Sequence, residues 1–317
     1  MGINSLKILH IDANHPCLIE GLEMAGYDNQ VGYNLSRIET LDIIDQFDGL
    51  VIRSRLSIDR EFIDRATKLR FIARVGAGLD AIDVAYAQRK NITLISAPEG
   101  NSNAVGEHAM GFLLSLMNRL TRADRQVKSG HWQRELNRGD ELKNKTVGII
   151  GYGHMGQSFA KKLSGFDCRV LCHDLLPDKG DQYAAQVPLD VLFAEAQVLS
   201  LHTPLTPQTK NMVNKAFIDR FAHPFYLINT ARGQSVVTQD LVEGLSSGKI
   251  LGAGLDVIEF EKTSFEALFT EDPPAALQAL IAMDQVIMSP HIAGWTHQSK
   301  ERLGQITVDK IKDHFPL

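Results

Sequence analysis

The hexapeptide Gly151-Tyr152-Gly153-His154-Met155-Gly156 directly follows the apolar run TVGII and opens the helix-like stretch QSFAKKLSGF. In that context the glycine spacing reads as a phosphate-binding turn. Gly151 allows a tight turn, Gly153 admits a pyrophosphate close to the backbone, and Gly156 lets the helix pack closely. Amides at the helix start, where His154 and Met155 fill the variable positions, then face the phosphates. The next apolar run, RVLCHD, ends at Asp174, placed to meet adenosine ribose hydroxyls and to repel a 2′-phosphate, so the expected cofactor is NAD. Three further residues follow apolar runs downstream: Arg232 after FYLINTA, Glu261 five positions beyond Asp256, and His291 after VIMSP. A guanidinium, a carboxylate and an imidazole beside a nicotinamide suffice for hydride transfer to a 2-oxo acid. Arg232 grips the substrate carboxylate and carbonyl oxygen, His291 gives the proton, and Glu261 holds the imidazole ring.

Residues so far apart must be gathered by the fold. Short β-branched runs at Leu6–Ile11, Gly49–Arg53, Arg70–Val75 and Ile92–Ser96 alternate with helical stretches and close near Pro98. A second series follows at Thr146–Ile150, Arg169–His173, Val198–His202, Phe225–Asn229, Leu251–Asp256 and Gln285–Ser289. This alternation predicts parallel α/β layers, whose ligand crevices lie at the carboxyl ends of the strands. Between the series, Ser102 to Val127 reads as one long bridging helix and Ser129–Lys145, with Trp132, as a projecting arm; Gln298–His314 reads as a terminal helix.

Composition narrows the function further. A chain of 317 residues holds about two domains. Its net charge of -5 argues against general nucleic-acid or membrane-surface binding, and acidic residues interrupt the basic stretch Arg119–Arg138. Cys17, Cys168 and Cys172 form no CxxC pair, so neither a disulfide framework nor a cysteine-rich metal site is expected, and a cytoplasmic setting fits. The most apolar stretch, Ala109–Met117, is far too short to span a bilayer, and no signal-peptide or myristoylation pattern opens the chain. The expected partner is a small-molecule substrate, with no metal.

The motifs GYGHMG with Asp174, HTPLT at His202–Thr206, NTARG at Asn229–Gly233, GAGLDVIEFE at Gly252–Glu261 and SPHIAG at Ser289–Gly294 resemble those of the D-isomer-specific 2-hydroxyacid dehydrogenase family. The similarity runs over essentially the whole chain. It implies that Arg232, Glu261 and His291 are the catalytic residues, and that Thr203, Thr230, Ala231, Asp256 and Gly294 help line the NAD site. It also implies two doubly wound parallel-sheet domains, a Rossmann-type NAD domain at 99–289 inserted into a flavodoxin-like substrate domain at 1–98 and 290–317. A crevice between them and a homodimer built around the bridging segment are part of the same implication. Within the family the first series is most similar to the phosphoglycerate dehydrogenase branch, through Arg53-Ser54-Arg55, ARVGAGLDAID at Ala73–Asp83 and APEGNSNAVGEHA at Ala97–Ala109. That likeness implies the 3-phosphoglycerate and phosphohydroxypyruvate pair of serine biosynthesis. It places Arg53, Ser54 and Asn101 on the substrate, with backbone amides of the VGAG turn at Val75–Gly78, Val75 and Gly76 among them, meeting its carboxylate.

A hydroxypyruvate or glyoxylate reductase of the family shares every catalytic residue, and an NAD-sensing corepressor shares the fold, so both are rival readings. Two departures bear on access to the crevice: Lys262 stands where many members have Pro, and Trp295 where a small residue is common. Termination at Leu317, right after the last helix, is expected of a short form without a regulatory extension.

Overall fold

In the computed structural model, which describes residues 5–261 and 273–317, the short apolar runs assemble into two sheets with every strand parallel to its neighbours. Lys262 lies outside the described residues. The first sheet contains β1 (Lys7–His10), β2 (Asp28–Val31), β3 (Gly49–Ile52), β4 (Phe71–Arg74) and β5 (Thr93–Ser96), in the order β2-β1-β3-β4-β5. This is the flavodoxin-like order. Its central strand β3 is buried along its whole length because helices cover both faces. Leu18, Leu22, Val308 and Ile311 of helices Pro16–Met24 and His297–His314 pack on one face, and Phe62, Ile63 and Ala87 on the other.

The second sheet contains β6 (Thr146–Ile150), β7 (Arg169–His173), β8 (Ala185–Gln186), β9 (Val198–Leu201), β10 (Phe225–Asn229), β11 (Ile250–Leu255) and β12 (Val286–Met288). Its order, β12-β11-β10-β9-β6-β7-β8, reverses between β6 and β9, the switch point at which doubly wound sheets bind dinucleotides. Phe112, Leu113 and Leu116 of helix Pro98–Met117, with Phe159 and Leu163 of helix His154–Leu163, form the core on one face. Phe193, Phe217, Phe221 and Leu241 fill the other. The chain divides into two units, residues 5–101 with 295–317 and residues 102–261 with 273–294. The breaks between the units fall at 101 and 294.

Two strands escaped the sequence reading. The edge strand β2 is Asp-Asn-Gln-Val with three exposed positions, so it carries no apolar alternation, and β8 is only two residues long. The single bridging helix is also corrected. Helix Pro98–Met117 stops where Asp140 N–H takes the Met117 carbonyl, and Arg119 adopts a left-handed φ of 54° before a separate helix, Leu120–Lys128, begins. The terminal helix starts at His297, one residue earlier than expected, because Thr296 and Ser299 form a reciprocal capping box. Among the described residues, no helix is long and apolar enough to cross a membrane.

Candidate active site

The glycine turn follows β6 at the switch point. Gly151 has φ +88°, and a Cβ there would lie 2.8 Å from the His202 carbonyl oxygen, so the turn needs glycine for both conformation and space. A Cβ on Gly156 would lie 2.3 Å from the Gly151 carbonyl oxygen, whereas one on Gly153 would meet nothing within 4 Å. The open side of Gly153 is thus the side from which a pyrophosphate can approach the first turn of helix His154–Leu163. His154 is exposed and Met155 half-buried at that helix start.

Asp174 anchors the turn: its carboxylate accepts Tyr152 N–H at 2.8 Å and Leu176 N–H at 3.0 Å. With His173, Pro177, Asp178, Gly180, Gln186, Val187 and Pro188 it lines an open depression of about 630 Å³. Tyr152 is buried, and its hydroxyl donates to Asp181 at 2.7 Å; burial and the Asp181 charge hold its pKa well above the usual tyrosine range. Just beyond β9 and β10, the Thr203 and Thr230 hydroxyl oxygens are buried without a hydrogen-bond partner. Buried polar atoms are nearly always satisfied, so these two point to a ligand with polar groups. Open space at Gly153, a carboxylate at the end of β7 and two orphaned hydroxyls fit NAD.

The contrast between two glycines gives a direct test. Gly156→Ala is expected to cost about 1–3 kcal/mol of stability through backbone overlap. Gly153→Ala should melt like the unmodified chain but lose most of the stabilisation that NADH confers. Thermal melting with and without NADH reads both, and full NADH stabilisation of Gly153→Ala would remove the pyrophosphate from this turn.

Arg232, Glu261 and His291 occupy three loops of the same unit. Asn229, at the buried end of β10, accepts Ala231 N–H at 3.1 Å and donates to the Arg232 carbonyl at 3.0 Å, shaping the loop that carries the guanidinium. Arg232 Nη1 donates to the Ala231 carbonyl at 2.7 Å. Gly233 presses this loop onto the next one: a Cβ there would be 2.0 Å from the Ile258 carbonyl oxygen, which leaves room only for glycine. Glu261 Oε1 accepts Ile258 N–H, and its Oε2 lies 2.9 Å from His291 Nδ1. A carboxylate only accepts, so Nδ1 donates to Glu261, and Nε2 is the ring nitrogen on the side away from that carboxylate. His291 has φ +57°, unusual for a residue with a side chain.

Asp256 turns inward. It is 1% exposed, and its carboxylate is engaged by Ser289 Oγ, Ile292 N–H and Ala293 N–H, so it organises the loop bearing His291 and half-buried Gly294. His202 is half-buried beside Ser200, and desolvation lowers its pKa to about 3, keeping it neutral.

In the other unit, Arg53 lies over the Trp295 ring at 4.3 Å, and its guanidinium makes no hydrogen bond to a described residue. Arg55 is used structurally, donating to the carbonyls of Ile11, Gly32 and Leu35. Ser54 follows Arg53 half-buried, and Asn101 Oδ1 is buried without a partner. Two of the four amides of the VGAG turn at Val75–Gly78 are engaged within the protein. Val75 N–H donates to Ile52 O at 2.9 Å and Gly76 N–H to Arg74 O at 2.8 Å, so neither is free for a substrate carboxylate. Sequence reasoning named no role for Asn229, Ser289 or Tyr152. All three lie inside the quoted motifs, but their partners come from chain-distant loops or from backbone geometry that spacing does not encode.

Comparison with known proteins places this geometry. Residues 110–293 match the D-isomer specific 2-hydroxyacid dehydrogenase, NAD binding domain. A hydroxypyruvate reductase of Thermotoga maritima is 35% identical over 88% of this chain and 88% of its own length. A D-3-phosphoglycerate dehydrogenase of Archaeoglobus fulgidus is 30% identical over 96% of this chain but 56% of its own length, so the chain spans about half of that relative. The D-lactate dehydrogenase of Aquifex aeolicus, solved with NAD and lactic acid, superposes with a TM-score of 0.83 at 28% identity, covering 97% of this chain and 95% of that one. The parallel sheets, the turn with its glycines and the matched domain together establish that this chain is a member of the NAD-dependent D-isomer-specific 2-hydroxyacid dehydrogenase family.

Proposed function

We propose that the chain interconverts 3-phosphoglycerate and phosphohydroxypyruvate with NAD, using Arg232, Glu261 and His291 as its catalytic residues. The observation that carries the substrate choice is Arg53, a cation stacked on Trp295 with its hydrogen-bond donors unused by any described residue. Such a fork suits a phosphate.

Bound NADH supplies the reducing equivalent. Arg232 holds the substrate carboxylate and polarises the carbonyl, and His291 delivers a proton from Nε2 to the carbonyl oxygen. Glu261 keeps the ring in the Nδ1–H orientation through the 2.9 Å contact, so that Nε2 is presented to the substrate. In oxidation the same ring takes the hydroxyl proton. Thr203, Thr230, Ala231 and Gly294 would border the nicotinamide side of the cofactor site, Asp256 would act there through the loop it shapes, and Asp174 would hold the ribose.

Asp174→Ala is expected to weaken NADH binding and to narrow the preference for NADH over NADPH, since it removes both the ribose acceptor and the repulsion of a 2′-phosphate. Comparing kcat/KM for the two cofactors checks this, and an unchanged ratio would contradict it.

Hydroxypyruvate reduction is the second reading, favoured by the 35% identical reductase. Steady-state NADH oxidation with phosphohydroxypyruvate, hydroxypyruvate and glyoxylate separates them: the proposal requires the highest kcat/KM for the phosphorylated acid. Two further features complete the reading. Helix Leu120–Lys128 buries none of its residues and, with Trp132 and Leu136, exposes apolar side chains suited to a homodimer contact. Cys17, Cys168 and Cys172 are free thiols, in keeping with work in the cytoplasm.

A further inference from the structure

His108, midway along helix Pro98–Met117, belongs to none of the sites above. Its Nε2 lies 2.9 Å from Ser289 Oγ, and Ser289 Oγ donates to Asp256 Oδ1 at 2.5 Å. A hydroxyl has one proton, so with that proton on Asp256 the Ser289 oxygen can only accept from His108. His108 Nε2 therefore carries a hydrogen, and it also lies 3.7 Å from Asp256 Oδ1. The ring is steadied by an edge-on contact with Phe112, centroids 4.6 Å apart and planes at 85°.

The far end of this polar chain is the loop that presents His291. Asp256 accepts Ile292 N–H and Ala293 N–H with its carboxylate, both at 2.8 Å, and His291 N–H with its carbonyl oxygen, also at 2.8 Å. A carboxylate buried to 1% exposure keeps a fixed orientation only if its acceptor sites are filled. His291 needs that fixed frame, because its left-handed φ of +57° is unfavourable for a side-chain-bearing residue and persists only where neighbouring bonds impose it.

We propose that His108 is a positioning residue for the proton-donating imidazole: through Ser289 it orients the Asp256 carboxylate, which holds residues 291–293 in the conformation that aims His291 at Glu261. This rests on the reading of His291 as the proton donor. The amide of a glutamine can place its nitrogen where His108 has Nε2, so His108→Gln should keep the array and His108→Leu should break it.

The test pairs turnover with amide hydrogen exchange at Ile292 and Ala293, which needs no substrate. His108→Leu should lower kcat for NADH-dependent reduction about tenfold with the KM for NADH unchanged, and speed exchange at both amides about tenfold. His108→Gln should restore both. In a Ser289→Ala background, His108→Leu should add nothing, because the link is already cut. Should His108→Leu not fold, Ser289→Ala against His108→Gln carries the comparison: the first must lose amide protection and the second keep it. Equal effects of Leu and Gln, additivity with Ser289→Ala, or unchanged amide protection would overturn the inference. If protection responds as stated while the unmodified chain reduces no 2-oxo acid, the positioning role stands and the proposed function fails.

Discussion

His291→Asn is expected to lower kcat by roughly 10²–10⁴-fold while leaving NADH binding nearly intact. Asparagine is the informative replacement because it tolerates the left-handed backbone that His291 occupies at φ +57°. Its side-chain amide can also donate to Glu261 in place of Nδ1, so the loop keeps its shape and only the exchangeable proton is lost. The cofactor turn is built from other residues, Gly151 to Gly156 with Asp174, whereas the His291 ring is tied to Glu261. Stopped-flow turnover and a separate NADH titration resolve the two effects. A variant that turns over at near the unmodified rate would remove His291 from proton transfer, and one that also fails to bind NADH would assign it to the cofactor site instead.

The second large effect is expected at Arg53. Its guanidinium is partly desolvated, which disfavours its charge, and the counter-charge acting on it is Asp12. Trp295 supports the cation face-on at 4.3 Å but fills none of its hydrogen-bonding sites. A phosphate would satisfy those donors and the charge together. A desolvated, charge-assisted contact of this kind contributes about 1.5–3 kcal/mol. Arg53→Ala should therefore reduce kcat/KM for phosphohydroxypyruvate by roughly 10–150-fold, with a much smaller loss for hydroxypyruvate. Losses of equal size would mean that Arg53 supports the structure of its own unit, and hydroxypyruvate reduction would then be the better reading.

The parallel α/β class, both strand series and the loops bearing Arg232, Glu261 and His291 were legible because they are written in local signals. A buried strand is a short β-branched run, a phosphate turn is glycines after such a run, and both keep their meaning wherever the chain folds. The strand Asp28–Val31 was not legible, since an edge strand gains its register from β1 and has no apolar face of its own. Nor was the break at Arg119, which the backbone bond from Asp140 to Met117 fixes across a loop.

In the site itself the sequence determined which residue types were present, and tertiary structure decided what each was free to do. Arg53 and Arg55 are equivalent in sequence, but three backbone carbonyls consume Arg55 and leave Arg53 on Trp295. Val75 and Gly76 look like amide donors until Ile52 and Arg74 claim them. Asp256 reads as a residue facing a ligand, yet it points into the loop of residues 289–293 and shares Ser289 with a histidine 148 positions away from it in sequence. The physical reason is common to all three: a hydrogen-bonding group is spent on whichever partner packing brings within about 3 Å, and that partner is set by contacts between distant segments, which local spacing does not record.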